Sequence, residues 1–220
     1  MDVSVRDNRL WLKVYEWIKS GVFSGALAGG EPLSESMLAQ ETGISRTPIR
    51  EALRVLARDG FVTLVPGKGA FVAEITLESI REIYEVRRLL EPYAARTAVM
   101  RILDDYLDRA ASKWREIKSM INERRPVEWG EIADLDREFH LMITTNAANR
   151  RIRDILIPYA AQVERFQLMS AKALSDVGET ARQHLQLIDC IRRRDGDELA
   201  GLMLEHIVSS EENVMKIFVP

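Results

Sequence analysis

Apolar and cationic positions alternate around one short segment, Ser45–Arg58, in a pattern typical of an α-helix. Its apolar residues fall at i, i+3, i+4 and i+7, which places them on one helical face, and they are Ile49, Ala52, Leu53 and Leu56. Its arginines recur every fourth residue along another side, and they are Arg46, Arg50, Arg54 and Arg58. The segment is therefore predicted to pack on the protein with one face and to present positive charge on the other.

Further elements are predicted on both sides of this arginine-bearing helix. An amphipathic helix at 8–20 is followed by a Gly- and Ser-rich loop at 20–32. Ser34 is expected to cap a short second helix. After the arginine-bearing helix, two β-prone runs flank a Gly-rich turn at 66–69 and predict a hairpin. This order of helix, short helix, basic helix and hairpin indicates a winged helix-turn-helix.

The pattern changes after Ile75. Helical periodicity then dominates, without a convincing strand, in six segments near 77–100, 103–123, 129–146, 151–170, 179–194 and 197–218. Pro92 and Pro158 lie inside two of these segments and are expected to kink or split them. We therefore predict a mainly α protein, with a winged helix-turn-helix and its small β-hairpin at 1–75 and an all-α bundle of about six helices at 76–220.

Composition indicates the cellular compartment in which this protein is expected. The chain of 220 residues has no apolar run that approaches the roughly 20 residues of a membrane span. Its N-terminus lacks the apolar core of a signal peptide, so the cytoplasm is expected and a membrane partner is not. The single cysteine, Cys190, is predicted to be a buried apolar residue, which fits a reducing compartment.

The charge distribution is more informative than the net charge of −3. Residues 1–73 hold nine Lys and Arg against eight Asp and Glu, whereas the remainder holds 22 against 26. Within Ser45–Arg58 there are four arginines and one glutamate. This local basicity is enough to place one helix on phosphate groups without making the whole protein basic.

The start of the arginine-bearing helix is the predicted reader of DNA. In helix-turn-helix proteins the N-terminal residues of the second helix reach base edges, and arginine can bind guanine through two hydrogen bonds. Hydroxyl groups donate hydrogen bonds to phosphates, and a glycine in the wing allows the protein backbone to approach the DNA closely. The predicted contacts are Ser45, Arg46, Thr47, Arg50, Gly67 and Lys68. The alternative is a solvated surface helix, which is the interpretation for Arg54 and Arg58.

A family resemblance covers this part of the chain, from about residue 8 to 73. The stretch LSESMLAQETGISRTPIREALRVLARDG, followed by VPGKGAFV, resembles the N-terminal signature of GntR-family transcription regulators. The resemblance implies a homodimer that binds a short, near-palindromic double-stranded DNA operator.

The chain contains only three histidines, His140, His184 and His206, and Asp136 lies four residues before the first of them. A carboxylate and an imidazole at this spacing share a helical face and can bind one divalent metal. However, such a pair is common by chance, and a histidine among apolar neighbours is more often a core residue. Spacing alone leaves both interpretations open.

A second resemblance covers about residues 78–215. The segments EVRRLLEPYAARTA, DREFHLMITTNAANRRI and HLQLIDCIRRRDGDELAGLMLEH resemble the FCD effector domain of the FadR-type branch of GntR regulators. The resemblance implies that Asp136, His140, His184 and His206 bind a divalent metal, with zinc as the first expectation and nickel, manganese or iron as alternatives.

Arg87 matches the arginine that the family places beside its effector. Since a guanidinium suits a carboxylate, the resemblance implies a small organic acid: a hydroxy acid, a sugar acid or a dicarboxylate. The alternative is a helical Arg87–Glu91 pair.

The predicted function is a ligand-responsive transcription regulator, a repressor rather than an activator, and not an enzyme. Three other functions remain open: a metal sensor without an organic effector, a constitutive DNA-binding protein with a structural metal, and a metal-dependent hydrolase.

Overall fold

A computed structural model describes the backbone of residues 3–171 and 177–216. Within these residues it contains nine helices and three strands. Contacts divide the chain into two compact units, Met1–Ile75 and Thr76–Pro220. The mainly α class, with a winged helix-turn-helix followed by a helical bundle, is confirmed.

The N-terminal unit is built from three helices and a three-stranded antiparallel sheet. In chain order its elements are α1 (Val3–Ser24), β1 (Pro32–Leu33), α2 (Glu35–Thr42), α3 (Arg46–Arg58), β2 (Val62–Val65) and β3 (Gly69–Val72). The strand order is β1-β3-β2, and Pro32 pairs with Phe71. Strand β1 begins at Pro32, the last residue of the predicted loop, and its two residues are too few to show a strand periodicity. Helix α1 also continues to Ser24, so the loop begins later than predicted.

Local signals position these elements as the sequence predicts. Ser34 caps α2, because its Oγ accepts a hydrogen bond from the Met37 amide at 3.0 Å. Gly43 ends α2 in the left-handed conformation, with φ of 67°. The wing turn between β2 and β3 contains Gly67, whose φ of 73° favours glycine.

Helix α3 has the two faces that its periodicity predicts. Ile49, Ala52 and Leu56 are fully buried, and the helix packs against α1. The four arginines of the stripe are exposed. The buried face attaches the helix to its unit and leaves the start of the helix in solvent.

The C-terminal unit is a helical bundle. In chain order its elements are α4 (Leu77–Ala98), α5 (Asp104–Asn122), α6 (Trp129–Asn146), α7 (Arg150–Ala171), α8 (Val177–Arg192) and α9 (Gly196–Met215). No strand occurs in the described part of this unit. The predicted end of the last helix, near 218, lies outside the described residues. Helices α4 and α7 are continuous through Pro92 and Pro158, so neither proline splits its helix.

The core of the bundle surrounds a polar centre. Helix α4 packs against α9 and α6, and α5 packs against α8. Tyr84, Trp114 and Phe139 are among its largest fully buried side chains. Cys190 is fully buried, as predicted. The Trp114 ring stacks on His184 with ring centroids 4.0 Å apart, which restrains that imidazole from one side.

Candidate metal centre and nucleic-acid interface

Four potential metal ligands meet inside the helical bundle. Helix α6 supplies Asp136 and His140, which stand four residues apart and therefore share one face. Helices α8 and α9 supply His184 and His206. One ligand atom from each residue lies within 4.8 Å of all the others, and all four side chains are buried. The structure thus brings together the four residues that the sequence predicts as ligands.

The atoms that face each other are one carboxylate oxygen and three imidazole nitrogens. Asp136 Oδ1 lies 3.3 Å from His184 Nε2, 3.6 Å from His206 Nε2 and 3.9 Å from His140 Nε2. His140 Nε2 and His206 Nε2 are 3.1 Å apart. Zinc–ligand bonds of about 2.0–2.2 Å place the ligand atoms of a tetrahedron roughly 3.3–3.6 Å apart. The cluster therefore has dimensions that fit a metal ion of this size.

Each histidine is held by a hydrogen bond from its other ring nitrogen, Nδ1. The pairs are His140 with Glu91 Oε2 at 2.5 Å, His184 with the Thr180 carbonyl oxygen at 2.9 Å, and His206 with Gln183 Oε1 at 2.8 Å. All three partners can accept a proton from Nδ1, and in that tautomer each Nε2 would hold a lone pair directed at the centre. The three Nε2 atoms and a carboxylate oxygen lie close together, as the ligands of metal-binding sites do.

One of these nitrogens is left without a hydrogen bond. His184 Nε2 is buried and has no hydrogen-bond partner among the described residues. A buried polar atom normally has a partner. On the carboxylate side, Gln167 Nε2 donates to Asp136 Oδ2 at 2.8 Å, so that oxygen is engaged while Oδ1 faces the histidines. The residues present therefore fit a bound cation.

Arg87 lies in the wall of the same centre and is paired within the protein. Its Nε donates to Glu91 Oε1 at 2.5 Å, and both side chains are buried. The guanidinium also lies over the Tyr84 ring, at 4.9 Å from the centroid. Its Nη1 is buried without a hydrogen-bond partner among the described residues. The helical Arg87–Glu91 pair, which was the alternative from the sequence, is therefore formed, and Arg87 Nη1 remains for another ligand.

The electrostatic environment lowers the pKa of Asp136, Glu91 and His206 and keeps these three groups deprotonated at neutral pH. Burial opposes ionisation of Asp136, but the adjacent histidines hold its pKa well below the usual value. Burial acts on Glu91 in the same way, yet Arg87 and His140 lower its pKa to about 2. Burial lowers the pKa of His206 to about 4, against the opposing effect of Asp136. The centre thus offers ionised carboxylates and a neutral imidazole, as a metal requires.

Two cavities border the cluster, and Asp136 and Gln167 line both of them. The smaller one is also lined by Arg87, Glu91 and His140. The larger one is lined by His206 together with aromatic, apolar and neutral polar side chains, including Trp129, Thr180, Gln183, Ser209, Ser210 and Asn213. A small molecule in either cavity would lie beside the cluster.

The start of α3 in the N-terminal unit is exposed. Ser45 is the N-cap residue, but its side chain makes no capping hydrogen bond. Arg46 and Thr47 occupy the first turn, and all three side chains face solvent. Arg50, one turn later, donates through Nε to Glu35 Oε1 at 2.7 Å. This bond restrains the Arg50 guanidinium through its Nε.

The wing lies close to this helix. Gly67 and Lys68 form the exposed turn between β2 and β3. Lys68 and Arg50 border the same open groove. The structure therefore places the predicted wing residues and the predicted reading helix on one surface of the N-terminal unit.

Several residues that support the metal centre were not predicted as site residues. The sequence analysis considered Glu91 only as a partner of Arg87, and it did not identify Gln167 or Gln183. Thr180, four residues before His184, supplies the carbonyl oxygen for its hydrogen bond. A spacing of four residues can be recognised in the sequence as one helical turn. The bond from His140 to Glu91 joins two helices and has no such local signal.

An N-terminal winged helix-turn-helix joined to a helical unit with a buried His/Asp centre defines a class, that of ligand-sensing bacterial transcriptional regulators. Residues 10–72 match the bacterial regulatory proteins of the gntR family, and residues 82–209 match the FCD domain. The chain belongs to the GntR family of transcriptional regulators, in its FadR-type branch with an FCD domain.

Relatives and solved structures agree with this assignment. The HTH-type transcriptional repressor RspR of Escherichia coli K12 is 27% identical over 205 residues, which cover 93% of this chain and 89% of that protein. The gluconate operon transcriptional repressor of Bacillus licheniformis is 28% identical over 202 residues, covering 90% and 80%. The E. coli McbR/YncC structure, 20% identical, shares the fold with a TM-score of 0.75 over 95% of this chain and 98% of that chain.

These relatives are transcriptional regulators and not enzymes, as the sequence analysis expects. None of the helices in the described parts of the chain is long and apolar enough to span a membrane.

Proposed function

We propose that this protein is a cytoplasmic, homodimeric repressor whose binding to a near-palindromic DNA operator is controlled by a small carboxylate effector beside a divalent metal. Residues 1–75 would bind DNA, and residues 76–220 would bind the effector and dimerise. The names of the two relatives described above support repression.

The observation that carries this proposal is the convergence of Asp136 Oδ1 with three histidine Nε2 atoms. His140 Nε2 and His206 Nε2 lie 3.1 Å apart, which is close to the separation of two ligand atoms on one metal ion. The second ring nitrogen of every histidine is already bonded, so the rings are oriented before a metal arrives. Zinc fits the nitrogen-rich ligand set best, and nickel, manganese or iron are alternatives.

A bound metal would supply a positive charge that attracts the oxygens of an organic acid. Arg87 supports the same ligand class from the smaller cavity, because its buried Nη1 has no hydrogen-bond partner among the described residues. Its other contacts, with Glu91, hold the guanidinium in place. We therefore retain Arg87 as an effector-binding residue.

DNA binding is assigned to Ser45, Arg46, Thr47, Arg50, Gly67 and Lys68. Their exposure and their location on one surface support this assignment. A homodimer would present two such surfaces to successive major grooves, about 34 Å apart. The Glu35 carboxylate would restrain the Arg50 side chain and leave its terminal nitrogens for phosphate or guanine.

The test is an operator titration with zinc-loaded and chelator-treated protein, each with and without organic acids, on an operator selected from random double-stranded DNA. We expect an acid to weaken operator binding only when zinc is present. Operator affinity that follows zinc alone would indicate a metal sensor. Operator affinity that responds neither to zinc nor to any organic acid would indicate a constitutive DNA-binding protein and would refute effector control.

A further inference from the structure

Resting on the proposed function, we infer that the larger cavity beside the cluster selects a polyhydroxylated monocarboxylic acid, a sugar acid of the aldonate or uronate type. The cavity is the larger of the two that border the cluster. Asp136 and His206 of the cluster form part of its lining, so a ligand that fills it reaches the metal centre.

The lining is rich in hydrogen-bonding groups but carries no lysine or arginine among the described residues. Its neutral polar side chains are Gln167, Thr180, Gln183, Ser209, Ser210 and Asn213. Hydroxyl and amide groups both donate and accept hydrogen bonds, as sugar hydroxyls do. A second carboxylate would lack a cationic partner in this partly buried place, which costs free energy. The lining therefore favours hydroxyl groups over a second charge.

Two nearby cations, Lys216 and Arg87, are absent from this lining. Lys216 is exposed, and its Nζ donates to Asn213 Oδ1 at 2.8 Å. Arg87 belongs to the lining of the smaller cavity, where Glu91 holds it. An arginine fork, the usual partner of a free carboxylate, is thus missing from the described lining of the larger cavity.

The remaining wall of the larger cavity is apolar. It is formed by residues that include Trp129, Ile132 and Val214. A sugar acid has hydroxyl groups on some sides of its carbon chain and C–H groups on others, so it matches a cavity with a polar wall and an aromatic one. The acid end would lie toward Asp136 and His206, where a bound metal would attract it.

The test compares ligands by calorimetry with full-length, zinc-loaded protein. The sugar acids are gluconate, galactonate, glucuronate and galacturonate. Hexanoate has the same carbon number and one carboxylate but no hydroxyl groups, and adipate has two carboxylates. We expect at least one sugar acid to bind ten or more times tighter than both hexanoate and adipate. Equal or tighter binding of either of these two acids would overturn the inference.

Two variants locate the binding to the cavity. Ser209→Ala and Asn213→Ala are each expected to weaken sugar-acid binding about tenfold. Gln186→Ala changes an exposed amide on the same helix as Gln183 and should have no effect. Zinc affinity, measured by competition with a chelator, should be unchanged in all three. Sugar-acid affinity that is unaffected in both cavity variants would show that the acid binds elsewhere.

The same ligands separate this inference from the proposed function. If adipate rather than a sugar acid weakens operator binding, effector control stands and the inference is wrong. If a sugar acid binds as expected but none of the acids changes operator binding, effector control fails and the inference stands.

Discussion

The role of Glu91 leads to a prediction with two independent readouts. Its carboxylate bonds to Arg87 Nε and to His140 Nδ1, both at 2.5 Å, in a buried location. Glu91→Gln keeps the size of the side chain but leaves the Arg87 charge buried without a counter-ion. Breaking a buried ion pair in this way costs about 3–5 kcal/mol of unfolding free energy. It also replaces the carboxylate that orients a metal ligand, a change that typically weakens metal binding about 10–100-fold.

A double variant separates the two effects. Arg87→Met combined with Glu91→Gln removes both charges, so we expect it to be more stable than Glu91→Gln alone. Zinc affinity should remain low, because His140 still lacks its carboxylate partner. Urea unfolding and chelator competition measure the two quantities. Glu85→Gln makes the same chemical change on an exposed face of α4 and should alter neither. Unchanged stability and zinc affinity in Glu91→Gln would refute the reasoning.

Three further predictions concern acid, metal and DNA. Metal-free protein should lose stability as the pH falls from about 6.5 to about 4, because the folded pKa of His206 is lowered and the unfolded chain binds more protons in this range, and the lowered pKa of Asp136 should extend the loss below about pH 4; urea unfolding against pH measures this, and a flat profile would contradict it. Chelation should lower the melting temperature and zinc should restore it, with a stabilisation of about 4.1 kcal/mol at a thousand times the dissociation constant; equal melting with and without zinc would exclude tight binding. Arg46→Ala and Arg50→Ala should each abolish sequence-specific operator binding, whereas Arg54→Ala should cause only a small loss; normal binding by the first two would refute the assignment of the reading helix.

The predictions that the structure confirms from sequence rest on local interactions. Ser34 as a cap, Gly43 as a helix end and the buried face of α3 all follow from residues within one or two turns of each other. The helices near the metal centre were also predictable, because each has its own apolar periodicity. Pro92 and Pro158 do not split their helices, since α4 and α7 continue through them. The two-residue strand β1 was missed, because its pairing with β3 depends on a segment nearly forty residues away.

By itself the sequence determined the order of the elements, the arginine stripe and, through a family resemblance, the four candidate metal ligands. Only the tertiary structure decided which nitrogen of each histidine faces the centre, and that a carboxylate 49 residues before His140 holds its ring. The tertiary structure also decided that the larger cavity is lined by neutral polar groups, whereas Arg87 lies in the smaller one. The physical reason is that a helical turn brings together residues three or four apart, whereas contacts between helices depend on how the whole core packs.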